Sequence, residues 1–502
     1  MVERSLFEPR GDFIAGRFVL PAQPSGEIPL EDPGDLNALE GSFPFSPAAL
    51  ADAVESARQA FPAWRDTPLE ERARPLRRLA ELLQSEAERL ARVIAIDAGK
   101  PLWEARSEVQ AMIAKVKITL DEGLALVQER SFELGPGKLA RWRAHARGVL
   151  AVLGPFNFPG HLSHGHAVPA LATGNTLVIK PSERTPATGQ LYAELVSQAG
   201  FPAGVFNLIQ GDGAQGAALA AHPDVRGVLF TGSYAVGRRI LEATLDQPSK
   251  LVALEMGGKN GVLVCADADL EAAAHAIAFG ATATAGQRCS ATSRVVVLRE
   301  VADALSARLT RVLKQIRIGY ELDEDVFMGP LISADARERH ARVLELARAE
   351  GAELLLEGGP SEGPRPGHYV RPSLHRTPGL SRQSRYQCEE HFVPDLCLLE
   401  VDSLEEGSAA LNATDYGLAG SVFTRDRSAF EYVFRESRLG LLNWNTSTVG
   451  AASRLPFGGV GRSGNDRPAG VLSTLYCTYP VASLELEQPE PDAGFPGFPS
   501  AE

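Results

Sequence analysis

The apolar positions of this chain change their spacing along its length, and each spacing predicts a different element. From Ser46 to about residue 130 they recur at helical intervals, as in RARPLRRLAELLQSEAERLARVIAIDAGK, and predict two or three amphipathic helices. Ser46 and Pro47 read as an N-cap and a first helical residue, and Gly99 as a helix stop. Near Gly148 the spacing shortens. GVLAVLGP, NTLVIKPSE, VFNLIQG and GVLFTGS are short apolar runs ending in Gly, Pro or polar positions, so they read as buried strands. TPATGQLYAELVSQAG and AQGAALAAHPD read as helices between them. Strands alternating with helices imply a parallel sheet with right-handed crossovers, whose ligands bind beyond the carboxyl ends of the strands.

A second alternating segment starts near Leu251 and continues to about Gly440. Residues 1–45, rich in Gly and Pro, predict strands and loops. Positions 475–486 (LYCTYPVASLEL) read as a strand outside the main pattern, with the alternating stretch 139–146 (LARWRAHA) as its partner. Residues 487–502 are rich in Pro, Gly and acids and read as loose.

Size and charge narrow the classes. At 502 residues the chain is too long for one core, and its length implies about three domains or subdomains. The 63 acidic against 50 basic residues leave a net charge of −13, which gives no global attraction to nucleic acid or an anionic membrane. An anionic substrate would need a local basic pocket. The five cysteines at 265, 289, 388, 397 and 477 form no CxxC pair, so neither a disulfide framework nor a structural metal site is expected. Residues 1–13 hold no apolar segment of the secretory kind, and no apolar run reaches a membrane-spanning length of about 18 residues. These features together read as cytoplasmic.

Several loops carry candidate chemistry. Gly211-Asp212-Gly213-Ala214-Gln215-Gly216 matches GxGxxG, but the next strand ends in Thr231-Gly232-Ser233 rather than in an acid, so a plain turn is the stronger reading. The stretch Gly232, Ser233, Tyr234, Ala235, Val236, Gly237 joins a strand to a helix. Its amides and hydroxyl could meet a pyrophosphate, or Ser233 could be an ordinary N-cap. Lys180 and Glu183 lie beyond another strand and could reach sugar hydroxyls or form a solvated turn.

Cys289, in GQRCS, is a candidate nucleophile; a free cysteine is otherwise a small buried hydrophobe. Arg288 could favour its thiolate or point to solvent. The other four cysteines sit in apolar runs or beside acids, which disfavour thiolate. Glu255, in LEMGGKN, is an acid at the end of an apolar strand. Burial would raise its pKa toward that of a general base, unless it pairs with Lys259 or caps a helix. Asn157, in GPFNFPG, could donate to a developing oxyanion or bond its own turn.

Taken in order, GPFNFPG, KPSE, FTGS, LEMGGKN, GQRC, EEHF and PFGG resemble the aldehyde dehydrogenase superfamily over nearly the whole chain. KPLWEARSEVQAMIAK, GPFNFPGHLSHGHAVPAL and GAASRLPFGGVGRSGNDRP resemble one branch, the N-succinylglutamate 5-semialdehyde dehydrogenases of arginine catabolism. The resemblance implies an α/β fold: a Rossmann-like NAD-binding domain (1–122 and 148–253), a catalytic domain (254–440) and a β-ribbon oligomerisation element (123–147 and 470–490). It implies a homodimer or homotetramer that oxidises a small-molecule aldehyde with NAD and no metal. It makes Cys289 the nucleophile, Glu255 the base, and Asn157 with the Cys289 amide the oxyanion hole. Lys180 and Glu183 would hold the adenosine ribose, residues 232–237 the pyrophosphate, and Glu390 the nicotinamide ribose, with Phe392 beside it. A carboxylate at Glu183 would repel a 2′-phosphate and favour NAD. The chain departs from the family at Val393, where a glycine is usual, at Phe156 for Trp, and at Gly461 for a basic residue. It departs from the branch at Thr446 for Lys and at Arg454 for Thr. Arg454 is the candidate partner of a substrate carboxylate. An acylating enzyme that passes its thioester to coenzyme A or phosphate, a broader semialdehyde dehydrogenase, and a non-catalytic paralogue are the competing readings.

Overall fold

The computed structural model describes residues 7–39, 41–488 and 496–497. Residues 1–6, which open the expected first segment, lie outside it, as do 489–490 of the expected oligomerisation element and most of the tail read as loose.

Four α-helices, not two or three, fill the first helical region: α1 (Ala48–Asp66), α2 (Leu69–Ser85), α3 (Ala87–Ala98) and α4 (Leu102–Ile118). The turns between them are short. Pro62 and Pro75 lie inside α1 and α2, whereas the breaks fall at Thr67, Glu86 and Gly99. Gly99 closes α3 at φ +64, the left-handed stop expected of it. Ser46 does not cap α1. Pro47 holds that position without a side-chain bond, and the Ser46 carbonyl instead accepts from the Gln215 side chain at 3.1 Å.

The first sheet orders its strands Leu251–Met256, Val225–Gly232, Val149–Leu153, Thr176–Lys180, Phe206–Leu208, Asp12–Ile14 and Arg17–Val19. The first five are parallel, and the pair at the Asp12 edge is antiparallel. Numbered along the chain from Val149, the parallel strands run 3-2-1-4-5, the Rossmann order. The order reverses between Val149–Leu153 and Val225–Gly232. The loops after those strands hold Asn157 and Ser233, which puts both candidates at the switch point where such sheets bind ligands. The helices α5 (His161–Ala172), α6 (Pro186–Ala199), α7 (Gly213–Ala221) and α8 (Tyr234–Ala243) connect the strands. Val149–Leu153 and Thr176–Lys180 are buried at every position, which is why they read as unbroken apolar runs.

Leu251–Met256 is the edge strand of this first sheet, although its sequence opens the second alternating segment. The expected division at 254 falls inside it. The chain crosses to the second sheet between Met256 and Asn260. That sheet orders Glu353–Leu356, Ser373–Arg376, Asp395–Val401, Thr292–Leu298, Asn260–Val264, Ala419–Phe423 and Leu441–Trp444, all parallel except the first. Apolar clusters pack on both faces of each sheet, around Leu150 and Leu177, Val149 and Phe230, Val262 and Val295, and Leu263 and Val296.

A separate three-stranded sheet joins Arg130–Gly135, Lys138–Ala146 and Thr478–Leu486. The expected pairing of the tail with LARWRAHA is present, from Thr478 opposite Ala146 to Leu486 opposite Lys138. The tail strand begins at Thr478 rather than at 475, because Ser473–Tyr476 forms a short helix. Among the described residues no helix is long and apolar enough to cross a membrane.

Candidate active site

The Cys289 loop is built on an unusual turn. After α9 (Leu270–Thr282), Thr284 and Ala285 adopt left-handed φ of +52 and +51, and Gly286 follows at +71. A side chain on Gly286 would lie 2.5 Å from the Val393 backbone, so only glycine fits there. The loop is tied to the second sheet by Asn260, whose amide donates to the Cys289 carbonyl at 2.7 Å and to the Ala291 carbonyl at 2.9 Å.

Burial pushes the Cys289 thiol up to about 12, and the negative charges of Glu390 and Glu255 add to the effect. Arg288 opposes it only weakly. Its guanidinium neither serves the thiolate nor points to solvent; it binds the buried Glu104 carboxylate. The surroundings therefore favour the Cys289 thiol over its thiolate.

The Glu255 carboxyl is close enough for its charge to act on that thiol. It sits near the end of the edge strand Leu251–Met256 at 5% exposure. The segment after PFGG encloses that strand. Asn465 accepts from the Leu254 amide at 3.0 Å and donates to the Val252 carbonyl at 2.8 Å, and the Ser463 carbonyl accepts from the Met256 amide. One Glu255 oxygen accepts from the Ala469 amide at 3.3 Å, while Oε2 has no hydrogen-bond partner among the described residues. Burial raises its pKa well above the usual carboxylate range. The alternatives of an ion pair and a helix cap both fail: Glu255 is in a strand, and the Lys259 ammonium instead sits 5.6 Å from the centre of the Tyr386 ring. A cavity of about 190 Å³, lined by Glu255, Gly458, Asn465 and Pro468, opens at this carboxyl.

Asn157 makes the local turn bond and also reaches the Cys289 loop. Its Oδ1 accepts from the neighbouring Phe158 amide at 3.1 Å, the local turn bond. Its Nδ2 donates to the Gln287 carbonyl at 2.9 Å, on the Cys289 loop. That contact uses one of two N–H donors and leaves the other for a ligand.

Lys180, Glu183 and residues 232–237 line the carboxyl ends of the first sheet, whereas Glu390 and Phe392 lie in the loop before the second-sheet strand Asp395–Val401. The Lys180 ammonium bonds the Pro181 carbonyl at 2.8 Å and Glu183 at 3.2 Å, and burial lowers its pKa. Ser233 caps α8 by accepting from the Val236 amide at 3.4 Å. Around it Ala235 and Val236 are exposed, and the Tyr234 ring lies 5.1 Å from the Arg462 guanidinium. Side chains at Gly232 and Gly237 would lie 2.4 Å from the Phe230 ring and 2.5 Å from the Met256 sulfur. Glu390 accepts from the Gly258 amide at 2.9 Å, and burial raises its carboxyl to about 7. Phe392 holds a left-handed φ of +59 with its ring edge-on to Phe156 at 6.0 Å. Val393, the bulkier residue after it, packs into a buried cluster with Tyr386 and Cys397. The GxGxxG match is a capped turn: Asp212 accepts from the Ala214 and Gln215 amides.

Arg454 stands apart from this group. Its side chain is 68% exposed and binds Glu122, beyond the end of α4, at 2.7 Å. Buried groups that the sequence did not reveal lie behind the site. His166 sits between the Tyr476 hydroxyl at 2.8 Å and the Thr231 hydroxyl at 3.3 Å. Lys100, Glu104 and Glu108 face the loops of Cys289 and Asn157. Only the spacing EARSE on a helix could have hinted at the last pair.

A Rossmann-ordered sheet, a second α/β sheet and a partly buried cysteine near a buried glutamate make an oxidoreductase-like architecture with a thiol at its centre. The chain matches the aldehyde dehydrogenase family over residues 22–480, and it belongs to that family. It is 40% identical over 459 residues to the N-succinylglutamate 5-semialdehyde dehydrogenase of Chromobacterium violaceum, covering 91% of this chain and 93% of that one. It is 43% identical over 446 residues to N-succinylglutamate 5-semialdehyde dehydrogenase 2 of Caulobacter vibrioides, covering 88% and 89%. The crystal structure of an NAD-dependent aldehyde dehydrogenase from Sinorhizobium meliloti superposes with a TM-score of 0.92 at 31% identity, covering 98% of each chain.

Proposed function

We propose that the chain is an NAD-dependent dehydrogenase that oxidises an acylated amino-acid semialdehyde, such as N-succinylglutamate 5-semialdehyde, to the carboxylic acid. The reaction rests on one observation: a buried carboxyl with a free oxygen, Glu255, near enough to the partly buried thiol of Cys289 for its charge to act on it. The substrate class rests on the name shared by relatives that match about nine-tenths of the chain.

In this reading Glu255, once ionised, takes the Cys289 proton, and the sulfur adds to the aldehyde carbon. The new oxyanion meets the remaining Asn157 N–H and the Cys289 amide. Bound NAD would supply the hydride acceptor for this carbon, and Cys289 would then carry a thioester. Glu255 releases its first proton through the cavity at Asn465 and Pro468. It then deprotonates a water whose oxygen displaces the Cys289 thiolate and frees the acid. Burial favours the protonated form of Glu255, so both base steps speed up as pH rises toward and past its raised pKa.

The residues present suit a dinucleotide. The α8 N-terminus beside Gly232 and Gly237 offers amides to a pyrophosphate where any larger residue would clash. Lys180 and Glu183 would take the adenosine ribose, and Glu390 with Phe392 the nicotinamide ribose. Arg454 would meet the substrate carboxylate in place of Glu122. The three-stranded sheet, with Phe132, Leu134 and Leu484 exposed, would join copies into a dimer or tetramer. Five free cysteines suit the reducing cytoplasm.

The test is a kcat/KM panel with NAD and no coenzyme A, comparing N-succinylglutamate 5-semialdehyde, glutamate semialdehyde, succinate semialdehyde and aliphatic aldehydes. The acylated semialdehyde is expected to lead by at least about tenfold, with free acid as product. Equal values across the panel would refute the substrate class, and no acid without coenzyme A would refute the hydrolytic reaction.

A further inference from the structure

The segment KPLWEARSEVQ takes no part in the chemistry above, yet it carries a buried cluster of charges. The side chains of Lys100 and Glu108 are 0% exposed, that of Glu104 is 1% and that of Arg288 is 13%. Buried charges are costly unless each is paired and hydrogen-bonded, and here every one is. Burial works against an ionised Glu104, but Arg288, Lys100 and Thr284 outweigh it and hold the carboxyl below its usual range.

The cluster faces two loops that are far apart in the chain. One Glu104 oxygen accepts from the Thr284 amide at 2.9 Å. The other accepts from the Thr284 hydroxyl and from Arg288, which itself donates to that hydroxyl at 2.9 Å. Thr284 is the first residue of the left-handed turn that leads into Cys289, and such a turn needs outside support because L residues disfavour it. Glu108 accepts from the Gly160 and His161 amides, both at 2.9 Å, at the start of α5 and just past Asn157. Lys100 binds Glu108 at 2.6 Å and places its ammonium 3.4 Å from the centre of the Phe158 ring. Arg288 lies 4.9 Å from the same ring. The aromatic neighbour of Asn157 is thus held between one cation from each half of the cluster.

Glu104 and Glu108 stand one turn apart on one face of α4. We infer that they are positioning residues: the helix uses them to hold the Cys289 loop and the Asn157 amide at the separation the oxyanion requires. The inference rests on the roles proposed for Cys289 and Asn157. A cluster with only a folding role would lower stability and leave the chemistry of each folded molecule intact.

Glu104→Gln, Glu108→Gln, Asn157→Ala and the double variant Glu104→Gln/Asn157→Ala separate these cases. Each is assayed at saturating NAD, with rates divided by the titrated Cys289 thiol. Glu104→Gln and Glu108→Gln are each expected to lower kcat by at least about tenfold, approaching a hundredfold, because small misplacements of reacting groups cost that much. The aldehyde KM should stay within about threefold, the sign of a contact made only in the transition state. The double variant should fall no more than about twofold below Asn157→Ala alone, because the separation between the Cys289 loop and the Asn157 amide no longer matters once that amide is gone. Should a Gln variant fail to fold, Thr284→Ala, which removes the hydroxyl and the γ-methyl and leaves both carboxylates in place, should still lower kcat at unchanged KM. Unchanged kcat per thiol in the glutamate variants or in Thr284→Ala, or losses that multiply in the double variant, would overturn the positioning role. If Asn157→Ala keeps its kcat, the oxyanion assignment fails first and the positioning role falls with it. If only Asn157→Ala loses kcat, the positioning role alone is wrong.

Discussion

Glu255→Gln separates what the buried carboxyl does from what it costs the fold. The substitution keeps the shape and the contact with the Ala469 amide, and it removes the titratable group. Glu255 is 5% exposed, and burial raises its pKa well above 4.5. Such a group keeps its proton in the folded chain at pH values where the unfolded chain has lost it. Its stabilising contribution is therefore complete below about pH 4.5 and is lost as pH rises toward the folded pKa, at about 1.4 kcal/mol per unit of that interval. Glutamine has no such term. The thermal midpoint of Glu255→Gln should therefore gain on that of the parent as pH rises, then level off once the folded pKa is passed. Over the same range kcat should fall by about 10²- to 10⁴-fold, the loss of a general base. Thermal unfolding at several pH values from about 5 to 9, run beside steady-state NADH formation, reads both effects. A midpoint difference that does not change with pH would refute the buried, raised carboxyl. Retained kcat would refute its role as base.

Asn157→Ala should lower kcat by about 10²- to 10³-fold at little changed aldehyde KM, measured in steady state; a rise in KM alone would make Asn157 a binding residue. Arg454→Ala should raise KM for N-succinylglutamate 5-semialdehyde by about tenfold and leave that of an aliphatic aldehyde unchanged. Its exposed pair with Glu122 contributes less than about 1 kcal/mol, so the melting temperature should hardly move. An unchanged KM for the semialdehyde would remove Arg454 from the substrate site. Glu183→Ala should narrow the preference for NAD over NADP by about tenfold in kcat/KM, since one half-exposed like charge is lost; an unchanged ratio would place selectivity elsewhere.

Much of this organisation was legible in the chain because its signals are local. GVLAVLGP and NTLVIK read as strands because they are buried on both faces of a parallel sheet, and Gly99 read as a stop because a left-handed residue must follow α3. Partnership over long distance was not legible. Arg288 looked like the natural ally of the Cys289 thiolate, but its carboxylate partner lies 184 positions away on α4. Arg454 finds Glu122 across 332 positions. Glu104 and Glu108 lie in the segment that reads as helical, and only the packing of two loops against α4 buries them. Leu251–Met256 opened a new alternating segment by sequence, yet it completes the first sheet because the segment holding Asn465 closes over its edge. In the proposed mechanism the raised Cys289 thiol would call for the base at the first step as well as the last.

The most direct test acid-quenches the enzyme during turnover with aldehyde and NAD, in the absence of coenzyme A, and maps covalent adducts by peptide mass spectrometry. The account predicts a hydroxylamine-labile acyl group on the Cys289 peptide while free acid accumulates. Acid formed with no adduct at Cys289, or an adduct that persists until coenzyme A is added, would contradict it.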